Sequence, residues 1–454
     1  AGRRIRFPIF QRYMQPTYRQ IWAIASPILV SLLMDNLIGI TDTAFLGRVG
    51  EVELGASALG GVLYLAVFML GFGFSIGAQI LIARRNGERA YAEIGPLFRQ
   101  GFAFLLALAA AMFVLSRVLA PVVLGSIVES EPVRQAAVRY TNWRVFGFFF
   151  SFTAFMFRAF YVGTTNTRTL TLNSVAMVLT NVALNYVLIF GKLGLPAMGI
   201  AGAAIASSAS EFVSLAFFYI YTRTKTDHRR YGLFRRGKFD IGMLRRMLDV
   251  SVWTMLQLFL SVAIWFLFFV AVEHLGERPL AVTNIVRSVS GIVFMVVSAF
   301  GSTASTLTGN LLGADEARLV GPTAARIVRM CYLLVAPVAL LFALFPEWIL
   351  RVYTDDPSLI GASTASLRVM LSSYVFTVPA LVLFNVVSGA GNTRSALFLE
   401  FAALCVYSVY MVGIVIVHRA DVAVCWTTEH VYAIALLVFV SIYLARANWK
   451  NKAI

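Results

Sequence analysis

The sequence predicts an all-α membrane protein with twelve transmembrane helices in two six-helix lobes. Hydrophobic residues make up 59% of the 454 residues and charged residues only 13%, which is more apolar surface than a soluble fold of this length can bury. The apolar runs are long enough for helices across a hydrocarbon layer of about 30 Å, whereas barrel strands would be short and alternating. An internal repeat then divides the chain into halves.

Twelve apolar runs, separated by breakers or charges, are the candidate spans. They begin near residues 18, 55, 95, 132, 168, 199, 244, 280, 317, 358, 393 and 423. Lys and Arg crowd the N-terminal segment, the loop RRNGERAYAE and the connector TRTKTDHRRYGLFRRGKFDIGMLRR, while GSIVESEPV and YTDDPSLIG are acidic or neutral. This bias predicts an inner (plasma) membrane protein with both termini and the connector in the cytoplasm. It also argues against a nucleic-acid surface, although the net charge is +16.

The internal repeat has an offset of 226 residues. The segment GTTNTRT begins at Gly163 and GAGNTRS at Gly389, and the same register aligns Gly50-Glu51 with Gly276-Glu277 and Gly87 with Gly313 without a gap. Because six spans is an even number, the two lobes insert in the same orientation and are related by a pseudo-two-fold axis along the membrane normal. The predicted parts are an N-terminal cytoplasmic segment 1–17, an N-lobe 18–222, a basic cytoplasmic linker 223–243, a C-lobe 244–445 and a cytoplasmic tail 446–454.

Two carboxylates interrupt the first span, Asp35 and Asp42. On a helix they are two turns apart on nearly one face, roughly 10 Å along the axis. An unpaired carboxylate costs a few kcal/mol or more in the hydrocarbon, so such residues normally face the bundle interior. We expect the two acids to share a cavity in which a proton or a small cation is bound and released. The alternative for either acid is a place at the headgroup boundary or at a helix cap.

A row of amides marks the fifth span. Asn181 and Asn185 are one turn apart, and Asn173 lies two turns before Asn181. These side chains either hydrogen-bond neighbouring helices or line the same cavity as the aspartates.

The repeat predicts that the ionisable cavity belongs to the N-lobe alone. The positions equivalent to Asp35 and Asp42 are Ser261 and Phe268. The corresponding C-lobe surface is neutral and aromatic, which suits apolar or cationic organic molecules through stacking and cation–π contacts. The candidate substrate contacts are Trp253, Gln257, Trp265, Phe268 and Tyr407, each of which has core or lipid-facing packing as its alternative.

Three further charges lie within apolar runs. Arg158 is close enough to the cytoplasmic end of its span to extend toward the interface, whereas Arg287 is deeper and needs a partner. Glu400 is a second candidate for a proton site, in the C-terminal half.

The residues that most often carry chemistry show no catalytic or metal-binding pattern. The three cysteines are interpreted as small core residues, and the four histidines are scattered over loops and span ends without ligand spacing. A membrane-embedded enzyme is therefore not expected, and neither is a cofactor, a metal or a cleaved signal peptide. The cysteines are Cys331, Cys405 and Cys425, and the histidines are His228, His274, His418 and His430.

Several segments resemble the multidrug and toxic compound extrusion (MATE) family. They are Pro27 followed by TDTAFLGRVG, GAQILIARRNGE after the second span, FRAFYVGTTNTRT, MGIAGAAIAS and SGAGNTRS. The segment DNLIGITDTAFLG looks most like the DinF-type branch of that family.

This resemblance implies two lobes that alternate between inward-open and outward-open forms and export organic compounds against an inward flow of protons or sodium. It assigns the first-helix aspartate to Asp42, the fifth-helix asparagine to Asn181 and the sixth-helix hydroxyl to Ser207. Many DinF-like members carry a carboxylate one turn after that asparagine, where this chain has Asn185, and the seventh span lacks the acid of NorM-like members.

The resulting hypothesis is a secondary antiporter that acts as a monomer in the lipid bilayer on cationic or amphipathic organic substrates. Its cation-coupling residues would be Asp35, Asp42, Asn181, Asn185 and Ser207. Protons are favoured because Asn185 is neutral, although oxygen ligands from Asp35, Asp42 and Asn181 would also suit Na⁺. The alternative is a flippase for lipids or lipid-linked precursors, which a basic, arginine-lined cavity would favour.

Overall fold

The computed structural model describes residues 15–128, 130–235 and 237–450, and most of them lie in helices. Most of the predicted N-terminal segment 1–17 and the last residues of the tail, 451–454, lie outside the described residues.

Among the residues described in the first half there are seven long or medium helices and a short one in the linker. They are α1 (Tyr18–Leu46), α2 (Glu51–Gly87), α3 (Tyr91–Ile127), α4 (Glu131–Arg144), α5 (Gly147–Gly163), α6 (Arg168–Phe190), α7 (Gly199–Lys225) and α8 (His228–Tyr231).

The second half repeats this order. Its helices are α9 (Ile241–Glu273), α10 (Glu277–Gly313), α11 (Val320–Leu344), α12 (Pro346–Leu350), α13 (Pro357–Ser372), α14 (Tyr374–Gly389), α15 (Thr393–Met411), α16 (Val422–Cys425) and α17 (Thr428–Arg446). A 3-10 turn, Ala317–Leu319, precedes α11, and a π-helical segment, Val412–Val417, follows α15.

Ten of the described helices are long and apolar enough to span a membrane, and two bent pairs raise the number to twelve. The pair α4–α5 is bent by 46° and the pair α13–α14 by 41°. The sequence predicts one span for each pair, beginning near residues 132 and 358. The helical prediction is therefore confirmed, and twelve is the count if each bent pair crosses once.

The chain forms two compact units whose borders fall inside helices. Among the described residues, one unit contains Val30–Met255 and the other contains 15–29 and 256–450. The predicted lobes, 18–222 and 244–445, differ from these units at both ends. The first part of α1 belongs to the second unit and the first part of α9 to the first, and the borders at residues 30 and 256 differ by the repeat offset of 226.

Hydrogen bonds explain why the first part of α9 belongs to the first unit. Thr254 Oγ1 donates to the carbonyl of Gly73 at 2.7 Å, and Ser251 Oγ donates to the carbonyl of Phe74 at 3.3 Å. Gly73 has no side chain at this contact, where a Cβ would lie 2.7 Å from the Cα of Met255. The backbones of α2 and α9 therefore pack directly against each other.

The start of α1 is attached in a comparable way within the second unit. Arg326 Nη1, on α11, donates to the carbonyl of Pro16 at 2.9 Å. Its guanidinium also lies 5.7 Å from the ring centroid of Tyr18. One arginine thus binds the first turn of α1 through both a hydrogen bond and a cation–π contact.

Small residues bring α6 and α7 together in the first unit. The segment GIAGAAIAS opens α7, and a Cβ at Gly202 would lie 2.7 Å from the backbone of Leu188. Small residues at such an interface allow helices to approach closely inside a membrane. This approach places the polar side chains of the fifth and sixth predicted spans next to each other.

Candidate cation-coupling site

Asp42 lies near the end of α1, and both of its carboxylate oxygens accept a hydrogen bond. Asn185 Nδ2, on α6, donates to Oδ1 at 2.5 Å, and Ser207 Oγ, on α7, donates to Oδ2 at 2.8 Å. Three helices therefore meet at one carboxylate. Both donors are neutral, so the arrangement solvates a negative charge without cancelling it.

The two asparagines are hydrogen-bonded to each other, and Asn181 is also bonded to Ser207. Asn185 Nδ2 also lies 3.0 Å from Asn181 Oδ1, and Asn181 Nδ2 donates to Ser207 Oγ at 3.2 Å. Thr41 Oγ1 reaches Asn181 Oδ1 at 3.5 Å. Because Asn181 and Asn185 are one turn apart, their amides point to the same side of α6. We call Thr41, Asp42, Asn181, Asn185 and Ser207 the Asp42 cluster.

One acceptor of the Asp42 cluster is unused. The side-chain oxygen Oδ1 of Asn185 is buried and has no hydrogen-bond partner among the described residues. Buried polar atoms are nearly always paired, so an unpaired one needs an explanation. An amide oxygen beside a carboxylate is suited to accept a hydrogen bond when that carboxylate becomes protonated.

Asp35 is not part of this cluster. It lies two turns earlier on α1, is exposed in the isolated chain, and forms no hydrogen bond or ion pair with any residue that the structure describes. Arg158 on α5 is the group that attracts it electrostatically, and the Arg158 guanidinium also lies 5.0 Å from the ring centroid of Phe72. The separation of about 10 Å along the helix keeps Asp35 from sharing ligands with Asp42. Its part in coupling stays a prediction.

A buried ion pair that the sequence analysis missed lies beside the cluster. Arg144, the last residue of α4, binds Glu211 on α7 through two parallel contacts, Nη2 to Oε1 at 2.7 Å and Nη1 to Oε2 at 2.9 Å. Their side chains are only 12% and 11% exposed. The Tyr64 hydroxyl donates to the same carboxylate, at 2.9 and 3.1 Å from its two oxygens. The signal for this pair was an acid within the apolar run SASEFVSLAFF, four residues after Ser207.

The ion pair occupies a tightly closed site. The Arg144 guanidinium lies 3.6 Å from the centroid of the Tyr64 ring. Gly147 opens α5 directly against the pair, and a Cβ there would collide with both Glu211 and Arg144. Glu211 is one turn from Ser207 on α7, so the pair and the Asp42 cluster occupy neighbouring turns of one helix.

The predicted substrate contacts are found in different environments. Phe268 is 0% exposed and packs 5.3 Å from the Trp426 ring, and Tyr407 is buried beside Tyr432. Trp253 and Gln257 are half-buried, and Trp265 is exposed. In this structure Phe268 therefore has no exposed surface that a substrate could contact. A substrate role for the others stays a prediction.

Arg287, which the sequence indicates should need a partner, finds aromatic ones. Its guanidinium lies 5.2 Å from the ring centroids of both Trp265 and Phe269 on α9. Within the described chain it forms no ion pair, and cation–π contacts replace one.

The comparison with protein families gives the decisive observation. The sequence model of the MatE family matches residues 27–187 and, a second time, residues 254–412. Together these matches cover most of the chain. The distance in sequence between their first residues is close to the internal repeat offset. The chain belongs to the MATE family.

Relatives of known sequence agree with this assignment along most of their length. The chain is 26% identical over 368 residues to a probable multidrug resistance protein, NorM, of Neisseria meningitidis serogroup B, covering 80% of this chain and 79% of the relative. It is 24% identical over 407 residues to the multidrug resistance protein MdtK of Yersinia pseudotuberculosis, covering 87% and 88%.

The fold is also that of solved MATE transporters. A structure described as the outward-facing conformation of a multidrug resistance MATE family transporter superposes with a TM-score of 0.85 at 18% identity, covering 96% of this chain and 97% of the other. The predicted fold class, two lobes with twelve helices, is therefore confirmed. This MATE transporter is an integral membrane protein and not an enzyme. Its assignment to the DinF-like branch stays a prediction.

Proposed function

We propose that this MATE transporter is a secondary antiporter that exports organic compounds in exchange for protons, with the Asp42 cluster as the coupling site. One observation carries the proposal. A carboxylate near the end of a spanning helix is held by neutral donors from two other helices, and no Lys, Arg or His among the described residues forms an ion pair with it. A charge so placed is costly inside a membrane unless it has a function.

Protonation of Asp42 changes the contacts between helices. In the ionised form Asn185 and Ser207 both donate to the carboxylate. A proton on Oδ1 competes with the Asn185 donor, and rotation of that amide brings its unpaired oxygen into position to accept the new O–H. The contact between α1 and α6 is thereby rearranged when the proton binds. A change of this kind favours one lobe arrangement over the other and so couples proton binding to alternating access.

The same cluster favours a proton over Na⁺. Hard cations are bound by several oxygen ligands, of which carboxylates contribute most of the charge. The Asp42 cluster contains one carboxylate, and the position one turn after Asn181 is an amide rather than an acid. A proton needs only one carboxylate and an acceptor.

Exported substrates are proposed to be cationic or amphipathic. The curated relatives are named for multidrug resistance, and an ionised Asp42 attracts cations until a proton neutralises it. Binding of the proton and binding of the substrate would then exclude each other. The flippase alternative gains no support, because the buried Arg144 is already occupied by Glu211.

The decisive experiment replaces Asp42 in purified protein reconstituted into vesicles. With an imposed pH gradient and ethidium as the transported cation, Asp42→Asn should abolish gradient-driven transport, because the amide cannot bind and release a proton. Glu51→Gln, at an exposed acid in the first turn of α2, is the matched control and should keep full activity.

Two parallel measurements complete the design. Asp35→Asn tests whether the second acid of α1 participates, and a sodium gradient without a pH gradient tests the choice of ion. Full gradient-driven transport by Asp42→Asn would overturn the assignment of the coupling site. Transport by the unmodified protein under the sodium gradient alone would overturn the choice of the proton.

A further inference from the structure

A second acid lies inside the second unit, on a helix that the coupling proposal does not use. Glu400 is in the middle of α15 and is 5% exposed. Its oxygen Oε2 is buried without a hydrogen-bond partner among the described residues. An acid buried on a helix long and apolar enough to span a membrane is more than a surface charge.

Donors from two other helices meet the opposite oxygen. Ser261 Oγ, on α9, makes a short hydrogen bond to Glu400 Oε1, and the Tyr432 hydroxyl, on α17, donates to the same atom at 3.4 Å. The Gln257 side chain, one turn before Ser261, lies close enough to act on the carboxyl group. The hydroxyl donors of α9 and α17 therefore meet one oxygen, and the other has no partner among the described residues.

No positive charge compensates this acid. Within the part of the chain that the structure describes, Glu400 forms no ion pair. The other titratable or charged groups on the helices around it are Arg394, Cys405, Tyr407 and Tyr410 on α15, Glu429, His430, Tyr432, Tyr443 and Arg446 on α17, Tyr374 on α14, and Glu273 on the part of α9 in this unit. Arg394 lies six residues earlier on the same helix and stacks over Phe398. An ionised Glu400 would therefore lack a counter-ion in the membrane interior.

The repeat shows that this arrangement is not a copy of the Asp42 cluster. The positions equivalent to Asp42 and Asn181 in the second half are Phe268 and Tyr407, and Phe268 is packed against Trp426. The acid lies instead against Ser261, two turns earlier on α9. In the second unit the polar cluster therefore lies two turns earlier on α9 than Phe268, the position equivalent to Asp42.

The equivalent contact in the first unit contains no acid. Ser31 on α1 and Ser174 on α6 are hydrogen-bonded at 2.8 Å, and their equivalents are Gln257 and Glu400. Asp35, whose equivalent is Ser261, forms no hydrogen bond with any residue that the structure describes. An acid at this contact is therefore particular to the second half.

We propose that Glu400, with Ser261, Gln257 and Tyr432, forms a second proton-binding site in the second unit, separate from Asp42. A proton is the ligand that fits, because a single carboxylate with three donors supplies too few oxygens for a metal ion. Among the described residues, no group of three or more His, Cys, Asp and Glu is placed to hold one. The site adds a second exchangeable proton to the transporter. Its consequence for transport, though not its existence, rests on the proposed antiport.

Infrared difference spectroscopy tests the site directly. A pH change applied to the purified protein in lipid should reveal the carbonyl bands of protonated carboxyl groups, and Glu400→Gln should remove one band, which Asp42→Asn keeps. Ser261→Ala should retain the band but shift its frequency, because Oε1 loses a hydrogen bond. Glu277→Gln, at an exposed acid in the first turn of α10, is the matched control and should leave the band in place. An unchanged spectrum in Glu400→Gln would overturn the proposal.

Transport stoichiometry separates this proposal from the first one. The membrane potential at which ethidium transport reverses under a fixed pH gradient gives the number of protons exchanged per substrate. Glu400→Gln should lower that number by one, while Asp42→Asn should abolish coupling altogether. Coupled transport by Asp42→Asn together with loss of the Glu400 band would refute the Asp42 proposal and keep the Glu400 site. An unaltered proton number in Glu400→Gln would show that its proton is not exchanged and would refute the second exchangeable proton.

Discussion

Arg144 carries a charge into the membrane interior because Glu211 meets it with both carboxylate oxygens. The guanidinium is further covered by the Tyr64 ring, and Tyr64 donates its hydroxyl to Glu211. Such a pair is not in itself strongly stabilising, since desolvating two ions offsets most of their attraction. Removing one partner strongly destabilises the fold, because the other charge is left buried without a counter-ion.

This asymmetry predicts the outcome of a double-mutant cycle. Arg144→Gln and Glu211→Gln should each lower the free energy of unfolding by about 3–5 kcal/mol. The double variant should lose less than the sum of the two, because neither charge is then stranded. Thermal unfolding of the purified protein in detergent measures all three variants.

An exposed pair supplies the control for that cycle. Arg351 and Glu347 are 69% and 65% exposed, and breaking their contact should change stability by less than about 1 kcal/mol. Additive losses in the Arg144–Glu211 cycle would show that the two residues act independently.

At single positions the sequence predicted best where spacing along one helix decides the result. Asn181 and Asn185 are one turn apart and do lie together, with Asp42 and Ser207 beside them. Glu211 was missed because its partner is 67 residues away on another helix. Spacing within one helix says nothing about such a partner.

The close contact between α2 and α9 depends on glycines. At Gly77 a Cβ would collide with Ser251 Oγ and come within 2.6 Å of its Cα. At Gly61, on the same helix, nothing lies within 4 Å of the added atom. Two glycines of one helix therefore have opposite tolerance to alanine.

Gly77→Ala should lower the free energy of unfolding by about 1–3 kcal/mol, because α9 must move away from α2. Gly61→Ala is the matched control and should leave stability unchanged or raise it by up to about 1 kcal/mol, since alanine favours a helix more than glycine does. Unfolding temperatures compare the two. Adding Ser251→Gly should rescue Gly77→Ala in part, and equal losses at positions 61 and 77 would contradict the packing argument.

Helix boundaries illustrate what hydropathy leaves out. The sequence predicted single spans near 132 and 358, and each is divided into two helices with a bend of more than 40°. At the second bend the apolar residues continue on both sides, whereas the helix before the first bend is polar and ends in Arg144. At the first bend, the absence of a side chain at Gly147 leaves room for the buried Arg144–Glu211 pair.

For the whole chain, the distribution of positive charge predicts its orientation. Lys238 lies in the basic linker and Asp355 in the acidic loop between α12 and α13, and both are exposed. Because the basic side of a membrane protein stays in the cytoplasm, these positions should lie on opposite sides of the membrane.

Cysteine labelling tests this orientation. In a variant with the three native cysteines replaced, a membrane-impermeant maleimide added to intact cells should label Asp355→Cys at once. Lys238→Cys should react only after the cells are permeabilised. The reverse pattern would invert the topology, and labelling of both from outside would contradict an odd number of spans, α9 to α11, between the two positions.

The repeat predicted the two-part organisation, yet the borders of the parts were not predictable from it. Hydropathy identifies α1 and α9 as spans without indicating which neighbours they pack against. Thr254, Ser251 and Arg326 decide that through contacts with residues far away in the sequence. The two units therefore share α1 and α9, whereas the sequence predicted each helix for one lobe.

This sharing of α1 and α9 bears on what half of the chain could do alone. Each compact unit takes the beginning of one long helix from the other half of the sequence, with borders at equivalent positions 30 and 256. A fragment ending before α9 would leave the carbonyls of Gly73 and Phe74 without the side-chain donors Thr254 and Ser251. Neither half of the sequence contains all the residues of one compact unit.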